Sequence, residues 1–417
     1  MKTTKFKPSE VGLIPVEWEV KRLGDIADFV TATTPLATID LRWYIGTENM
    51  IADKAGVIQN DAEVPYKAVR EYLKGDVLIS NIRPYLKKIW LADRDGGCST
   101  DVLVIRTHDC SICIPEFLAM LLSDDSFFAF AMANAVGTKM PRGDKNVLMN
   151  FQITLPSIPE QKAIAEALSD MDALLAAMTT LIEKKRAIKQ GAMQDLLTGK
   201  KRLAGFAGKW IEKRLGEIAD FVTATTPTAT IDLKWYIGTE NMLAEKVGVI
   251  QNDAEVPYKA VREYLKGDVL VSNIRPYLKK IWLADCDGGC STDVLVIRTH
   301  DRSICIPEFL VMLISDDAFF DFAMSNAVGT KMPRGDKKVL VNFGVKLPTL
   351  AEQKAIAAVL SDMDAEIAAL EAKRAKYERI KQGMMQELLT GKTRLLPSAC
   401  TRADAGRCGP TRGTCGG

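Results

Sequence analysis

Two identical ten-residue segments, NIRPYLKKIW at 81–90 and again at 273–282, gather the side chains of this chain best suited to holding an anion. The first offers Arg83, Tyr85, Lys87 and Lys88, the second Arg275, Tyr277, Lys279 and Lys280, each set beside a proline and without an acid. Cations interleaved with an aromatic ring suit phosphate contacts, and an arginine fork can read guanine bidentately. A second basic stretch, GTKMPRGDK, adds Lys139, Arg142 and Lys145 in one place and Lys331, Arg334 and Lys337 in the other. Taken singly, such clusters are ordinary solvated surface. Two of them together, each written twice almost unchanged, point to nucleic acid.

Catalytic patterns do not assemble. Gly391-Lys392-Thr393 resembles the end of a phosphate-binding loop, but the required glycine five residues earlier is Gln386, and a helix stands where a strand is needed. Glu160-Gln161-Lys162 echoes a nuclease triplet, yet without a Pro-Asp partner strand it reads as solvated charge on a helix. The two histidines, His108 and His300, occupy equivalent Thr-His-Asp turns with no Ser or Cys elbow nearby, a structural pattern. Cys110-Ser-Ile-Cys113 has metal-ligand spacing, but its counterpart is Arg302-Ser-Ile-Cys305, so one copy lacks the pair. Cys286 likewise stands where the first copy has Arg94. Reduced thiols, no metal and no cofactor held by this chain are the expectation. There is no glycine-rich cofactor loop and no Asn-Pro-Pro-aromatic methyltransferase motif.

The elements that must position these loops emerge from a repeat. Trp18 aligns with Trp210, and the offset of 192 runs without a gap to Lys200 and Lys392. Between 18–155 and 210–347 only about twenty positions differ, most of them conservatively, as in Arg42/Lys234, Ile79/Val271 and Asp53/Glu245. A period this long is a duplicated domain with its connector rather than a solenoid. The globular part mixes short apolar runs with turn signals: Gly75-Asp76 before Val77-Leu78-Ile79, then Lys88–Leu91, then Asp95-Gly96-Gly97 before Val102–Ile105. These predict strands, and Pro115–Ala135 predicts a helix, giving a mixed α/β globule.

The connector predicts one long helix. Ser157-x-x-Glu160 and Thr349-x-x-Glu352 read as capping boxes. Ile164, Leu168, Met171, Leu175, Met178 and Ile182 recur at alternating spacings of four and three, as do Ile356, Leu360, Met363, Ile367 and Leu370. That is a narrow coiled-coil seam, and two matched seams in one chain favour pairing with each other over packing on their own globules. Gly199 and Gly391 stand where a C-terminal cap belongs. About 40 residues at about 1.5 Å each make a rod of roughly 60 Å.

Totals set the outer limits. The 417 residues are 47% hydrophobic and 26% charged, with a net charge of +2, so any nucleic-acid role rests on local patches. No run of eighteen apolar residues occurs, and the N-terminal MKTTKFKPSEVGLIPVEW lacks an apolar stretch of signal-peptide length. A cytoplasmic protein without membrane contact is expected.

The connector sequences LPSIPEQKAIAEALSDMDALL…KQGAMQDLLTGKKRL and LPTLAEQKAIAAVLSDMDAEI…KQGMMQELLTGKTRL resemble the conserved region of the specificity (S) subunits of type I restriction-modification systems. GLIPVEWEVKRLGDIADF and the Thr33-Thr34-Pro35 loop resemble the start of that family's target recognition domains. The resemblance covers roughly residues 8–396; it departs in the tail and at Ala351, where the first copy has Pro159. It implies recognition domains at 1–155 and 206–347, and conserved long helices at 156–205 and 348–397 paired as an antiparallel coiled coil. The tail at 398–417, rich in Gly, Arg and Cys and poor in apolar residues, is expected to be disordered. It adds Thr33, Thr34, Thr225 and Thr226 to the DNA-contacting set. It implies double-stranded DNA, two methyltransferase subunits and the nuclease-translocase subunits as partners, with S-adenosylmethionine, ATP and magnesium bound by those partners. Because the two recognition domains are nearly identical, antiparallel helices would relate them by a pseudo-twofold axis and demand a gapped palindrome. A stand-alone bipartite regulator or a coiled-coil scaffold without DNA would share many of these features. Charge reversal at Lys87, Lys88, Lys279 and Lys280 separates the scaffold, which it would leave unchanged, from a DNA reader, which would lose binding.

Overall fold

A computed structural model describes residues 5–246, 248–256, 258–329 and 333–395. Lys331 and the tail at 398–417 lie outside the described residues. Two compact units divide the chain, one reaching to Ala177 and resuming at Arg374, the other spanning Met178–Lys373. Each therefore holds one globule and half of each long helix.

In the first unit the apolar runs form strands because both of their faces are covered. Ala27–Phe29, Val102–Thr107, Val77–Ser80 and Ile89–Leu91 lie side by side, all antiparallel. Alternate residues point to opposite faces. Val77, Ile79, Leu103 and Ile105 meet Phe117 and Leu118 of the helix Pro115–Ser123. Leu78, Val102 and Val104 meet Ile45, Tyr72 and Cys98 of a second sheet. That sheet runs Thr33–Pro35, Ala68–Tyr72, Gly96–Cys98, Tyr44–Ile45, with only the last pair parallel. The second unit repeats the plan: Val269, Val271, Leu295 and Ile297 face Phe309 and Leu310, while Leu270, Val294 and Val296 face Ile237, Tyr264 and Cys290.

The single helix expected over 115–135 is two, Pro115–Ser123 and Asp125–Ala133. Asp124 between them is extended (φ −67°, ψ 146°), and its carboxylate accepts the Ser126 N–H at 2.9 Å, capping the second helix.

The connectors are continuous helices, Ile158–Leu197 and Leu350–Leu388. In the first unit Asp172 pairs with Lys381 and Glu160 with Arg394. In the second, Lys189 pairs with Asp364, Lys185 with Glu366 and Arg202 with Glu352. In each unit the partner number falls as the first helix advances, so the helices run antiparallel. The seam residues divide by depth. Ile164, Leu168, Ile356 and Leu360 sit inside the globule cores, not in a helix-helix seam alone. The reason is local: each helix leaves directly from the terminal strand, Gln152–Leu155 or Gly344–Leu347, and its first turns must cross the core. Met178, Ile182 and Ile367 are buried, whereas Met171, Leu175, Met363 and Leu370 are half-buried.

The capping boxes are not formed as expected. In copy two the Glu352 N–H reaches Thr349 Oγ1 at 3.4 Å, but both glutamates turn inward. Glu160 is fully buried rather than solvated, accepting from Arg394 Nε (2.6 Å), Arg394 Nη2 (2.8 Å) and Trp18 Nε1 (3.1 Å). Gln161 beside it accepts the Ile114 N–H and donates to the Ile112 and Pro156 carbonyls.

Gly199 and Gly391 both take φ +71° at the helix ends. A Cβ on Gly199 would meet Trp210 at 3.5 Å, ordinary contact, whereas on Gly391 it would lie 2.5 Å from Pro15 Cγ. Gly199→Ala is expected to cost the left-handed penalty alone, about 1–2 kcal/mol. Gly391→Ala adds an overpacking cost of about 1–3 kcal/mol. Urea midpoints of the two variants check this; equal losses would contradict it.

Candidate nucleic-acid interface

The opening segment is not a simple loop. The chain leaves the sheet after Val77–Ser80 and re-enters it at Ile89–Leu91 through a tight turn, Pro84–Leu86, bracketed by Arg83 (φ 52°) and Lys87 (φ 49°), both left-handed. A neighbouring turn carries Asp53 (φ 54°) and Lys54 (φ 65°). The two are zipped together: the Asp53 N–H donates to the Leu86 carbonyl and the Lys54 N–H to the Lys87 carbonyl, both at 2.9 Å. In the second unit Glu245 and Lys246 donate to Leu278 and Lys279 at 2.9 and 3.0 Å. Every described non-glycine residue with positive φ belongs to these turns. An L-residue pays about 1–2 kcal/mol there, and such strain concentrates at functional sites.

The second basic loop packs onto the first. The Arg83 N–H donates to the Pro141 carbonyl at 2.9 Å, and Ile82 bridges to Arg142 as in an antiparallel pair. Arg275 and Pro333, with Ile274 and Arg334, repeat this. Arg142 Nη2 reaches Asp101 Oδ1 at 3.0 Å, and Arg70 Nη1 donates to the flanking Thr100 and Val102 carbonyls. Two guanidinium groups thus converge on one turn carrying one carboxylate. Arg334 with Asp293, and Arg262 with the Thr292 and Val294 carbonyls, do the same in the second unit. Burial, aided by the Arg70 charge, holds the Lys145 ammonium below the ordinary lysine range, and Lys337 beside Arg262 follows suit.

The sequence-predicted residues therefore differ in their freedom. Arg83 and Arg275 are exposed, and neither guanidinium has a carboxylate partner among the described residues. Tyr85 is 51% exposed and Tyr277 49%. Lys139 is exposed at the tip of its loop. Thr33 is exposed and pairs across the strands with Arg70, as Thr225 does with Arg262. The hydroxyls of Thr34 and Thr226 are turned to Thr38 and Thr230. Lys88 and Lys280 are occupied, each Nζ donating at 2.7 Å to the Thr47 or Thr239 carbonyl. Lys87 and Lys279 are paired, to Asp125 at 3.0 Å and Asp317 at 3.1 Å. Reversing these lysines would disturb the turn as well as any contact it makes. Arg83 is the cleaner probe.

Sequence reasoning missed Lys54, Arg70, Asp101 and Asp125. Arg70 carried a signal, as a cation interrupting the strand AVREY. The other three only acquire a role once the turns come together.

Elsewhere, His108 and His300 pair with Asp28 and Asp220 at 2.9 and 3.0 Å. Burial pushes the Cys98 and Cys113 thiols up to about 12. Among the described residues no cluster of three or more His, Cys, Asp or Glu could hold a metal, and no helix is long and apolar enough to cross a membrane.

Comparison with known proteins places this arrangement. Residues 15–187 and 208–382 each match the type I restriction modification DNA specificity domain. The chain is 26% identical to the type I restriction enzyme MjaVIII specificity subunit of Methanocaldococcus jannaschii, over 94% of this chain and 97% of that one. It is 22% identical to the type I restriction enzyme EcoDI specificity subunit of Escherichia coli, covering 83% and 81%. Its fold is similar to the crystal structure of the type I restriction-modification S subunit from M. genitalium, with a TM-score of 0.54 at 16% identity, over 93% and 99% of the two chains.

Proposed function

Because the chain belongs to the type I restriction-modification DNA specificity family, a family of non-catalytic subunits, we propose that it reads a gapped, palindromic DNA site and docks the subunits that modify and cut. Each globule takes one half-site. Arg83 and Arg275 read base edges, Tyr85 and Tyr277 pack beside them, and Thr33, Lys139, Arg142 and Lys145, with their copy-two counterparts, hold phosphates. The long helices set the spacer and carry the methyltransferase subunits, two in number, with the nuclease-translocase subunits joining through them. S-adenosylmethionine, ATP and magnesium belong to those partners.

One observation carries the reading: the same strained, basic pair of turns, with the same hydrogen bonds, is built in both units. Identical readers ask for identical half-sites, and the antiparallel run of the helices supports an inverted order. Nothing comparable is needed by a scaffold, for which eight left-handed residues would be unrewarded strain.

Selection from a random duplex library at moderate salt, with the chain co-purified with its methyltransferase subunit, tests this. A gapped inverted repeat with equal halves is expected. A gapped direct repeat would keep the reader and overturn the inverted order. No enriched sequence from a folded, stoichiometric complex would leave the scaffold in front.

A further inference from the structure

The strained turns need something to hold them, and in each unit one carboxylate does so. Asp125 opens the helix Asp125–Ala133, and its Oδ1 accepts from Lys54 Nζ at 2.7 Å and Lys87 Nζ at 3.0 Å. Asp317 repeats the bridge to Lys246 at 2.7 Å and Lys279 at 3.1 Å. All four lysines are left-handed residues, one from each of the two zipped turns. The carboxylate therefore ties the two turns to the helix end, and Arg83 lies within the tied segment.

This is an unusual place for an acid. It stands beside a basic surface proposed to meet polyphosphate, and it is open to solvent, 68% in Asp125 and 44% in Asp317. An exposed pair adds little to global stability. A carboxylate there also weakens attraction to any duplex. The Lys54 ammonium first, then that of Lys87, keeps the Asp125 carboxyl below the usual carboxylate range, so the bridge stays charged. The units are not held equally. Asp321, one helical turn beyond Asp317, adds a carboxylate near Lys279, whereas the first unit has Ala129 at that position.

We propose that Asp125 and Asp317 are positioning residues for sequence reading: they sacrifice electrostatic attraction to fix the turn that presents Arg83 and Arg275. This rests on the DNA-reader function above and specifies how selectivity is built. Two forces then oppose each other. Removing the carboxylates raises the net charge and frees two lysines per unit, so binding to arbitrary DNA tightens. It also releases the turn, so binding to the selected site weakens. A purely electrostatic role predicts tightening on both, and a purely structural role predicts loss on both.

The test uses the full chain co-purified with its methyltransferase subunit, as wild type and as Asp125→Asn/Asp317→Asn. Affinities are measured for the duplex enriched by the wild type and for a scrambled duplex of equal length, at two salt concentrations. The expected result is tighter binding to the scrambled duplex and weaker binding to the selected one, with the ratio falling roughly five-fold per half-site. A thermal scan establishes that the variant remains folded. If the double variant did not fold, Asp125→Asn alone, read on duplexes with one half-site scrambled, gives the same ratio for the first unit. An unchanged or higher ratio, or equal losses on both duplexes, would overturn the inference and leave the reader function standing. A wild type that enriches no sequence would instead remove the reader function itself.

Discussion

A chain carrying Arg83→Ala and Arg275→Ala is expected to lose selective DNA binding by about 30-fold to 10⁴-fold while unfolding at the wild-type temperature. Each bidentate arginine-to-base contact discriminates by about 1–3 kcal/mol, and two equivalent half-sites double it. The folded state loses little, because both side chains are exposed and their structural bonds run through the backbone N–H to Pro141 and Pro333, which alanine keeps. Competition titrations against scrambled duplex, with a melting curve beside them, check both halves of the statement. The same loss on scrambled duplex would make these arginines phosphate contacts. No loss on either would move the reading edge elsewhere, with Tyr85 and Lys139 next. Lys139→Ala makes the informative contrast: as a phosphate contact it should weaken all duplexes alike and flatten the salt dependence.

Much of this molecule was legible in its residues, and the boundary of legibility has a physical cause. Strands such as Val77–Ser80 announce themselves through the apolar run Val77-Leu78-Ile79, and every position is buried. The long helices announce themselves through a periodicity that runs from Ile164 to Ile182 and from Ile356 to Leu370, about five and four turns. Asp124, by contrast, hid a break inside a continuous apolar pattern, because its extended backbone is set by its own side-chain cap rather than by periodicity. The two basic turns were half visible. Composition marked them as basic, but nothing in Arg83 or Lys87 foretells a left-handed backbone, which glycine, asparagine or aspartate would have signalled. Their shape is imposed by the Asp53–Lys54 turn, some thirty residues away, and by Asp125. Which lysines are tied to a carboxylate or a carbonyl, as Lys87 and Lys88 are, is a tertiary property.

Arg202→Ala is expected to cost about 3–5 kcal/mol, the range for leaving a buried charge without its partner. Glu352 is 1% exposed, and Arg202 donates to both of its oxygens, at 2.5 and 2.6 Å. Arg394→Ala should fall in the lower half of that range. Glu160 keeps a second donor, Trp18 Nε1 at 3.1 Å, although Glu17 loses its partner. Denaturant titrations of the two single variants and of Glu352→Ala/Arg202→Ala decide it. The double variant should lose less than the sum, and a single-variant loss under about 1 kcal/mol would sink the assignment. The pairing has a consequence beyond stability. Each glutamate stands at the start of one long helix and each arginine just past the end of the other, in Glu160 with Arg394 and in Glu352 with Arg202. Only antiparallel helices bring these ends together. In a parallel pair, two buried glutamates would meet at one end and two arginines at the other, at a cost of several kcal/mol per uncompensated ion. The Glu-Gln-Lys and Thr-Gly-Lys-x-Arg-Leu motifs therefore act as one device. They disfavour the parallel register, and so favour the inverted order of half-sites proposed above.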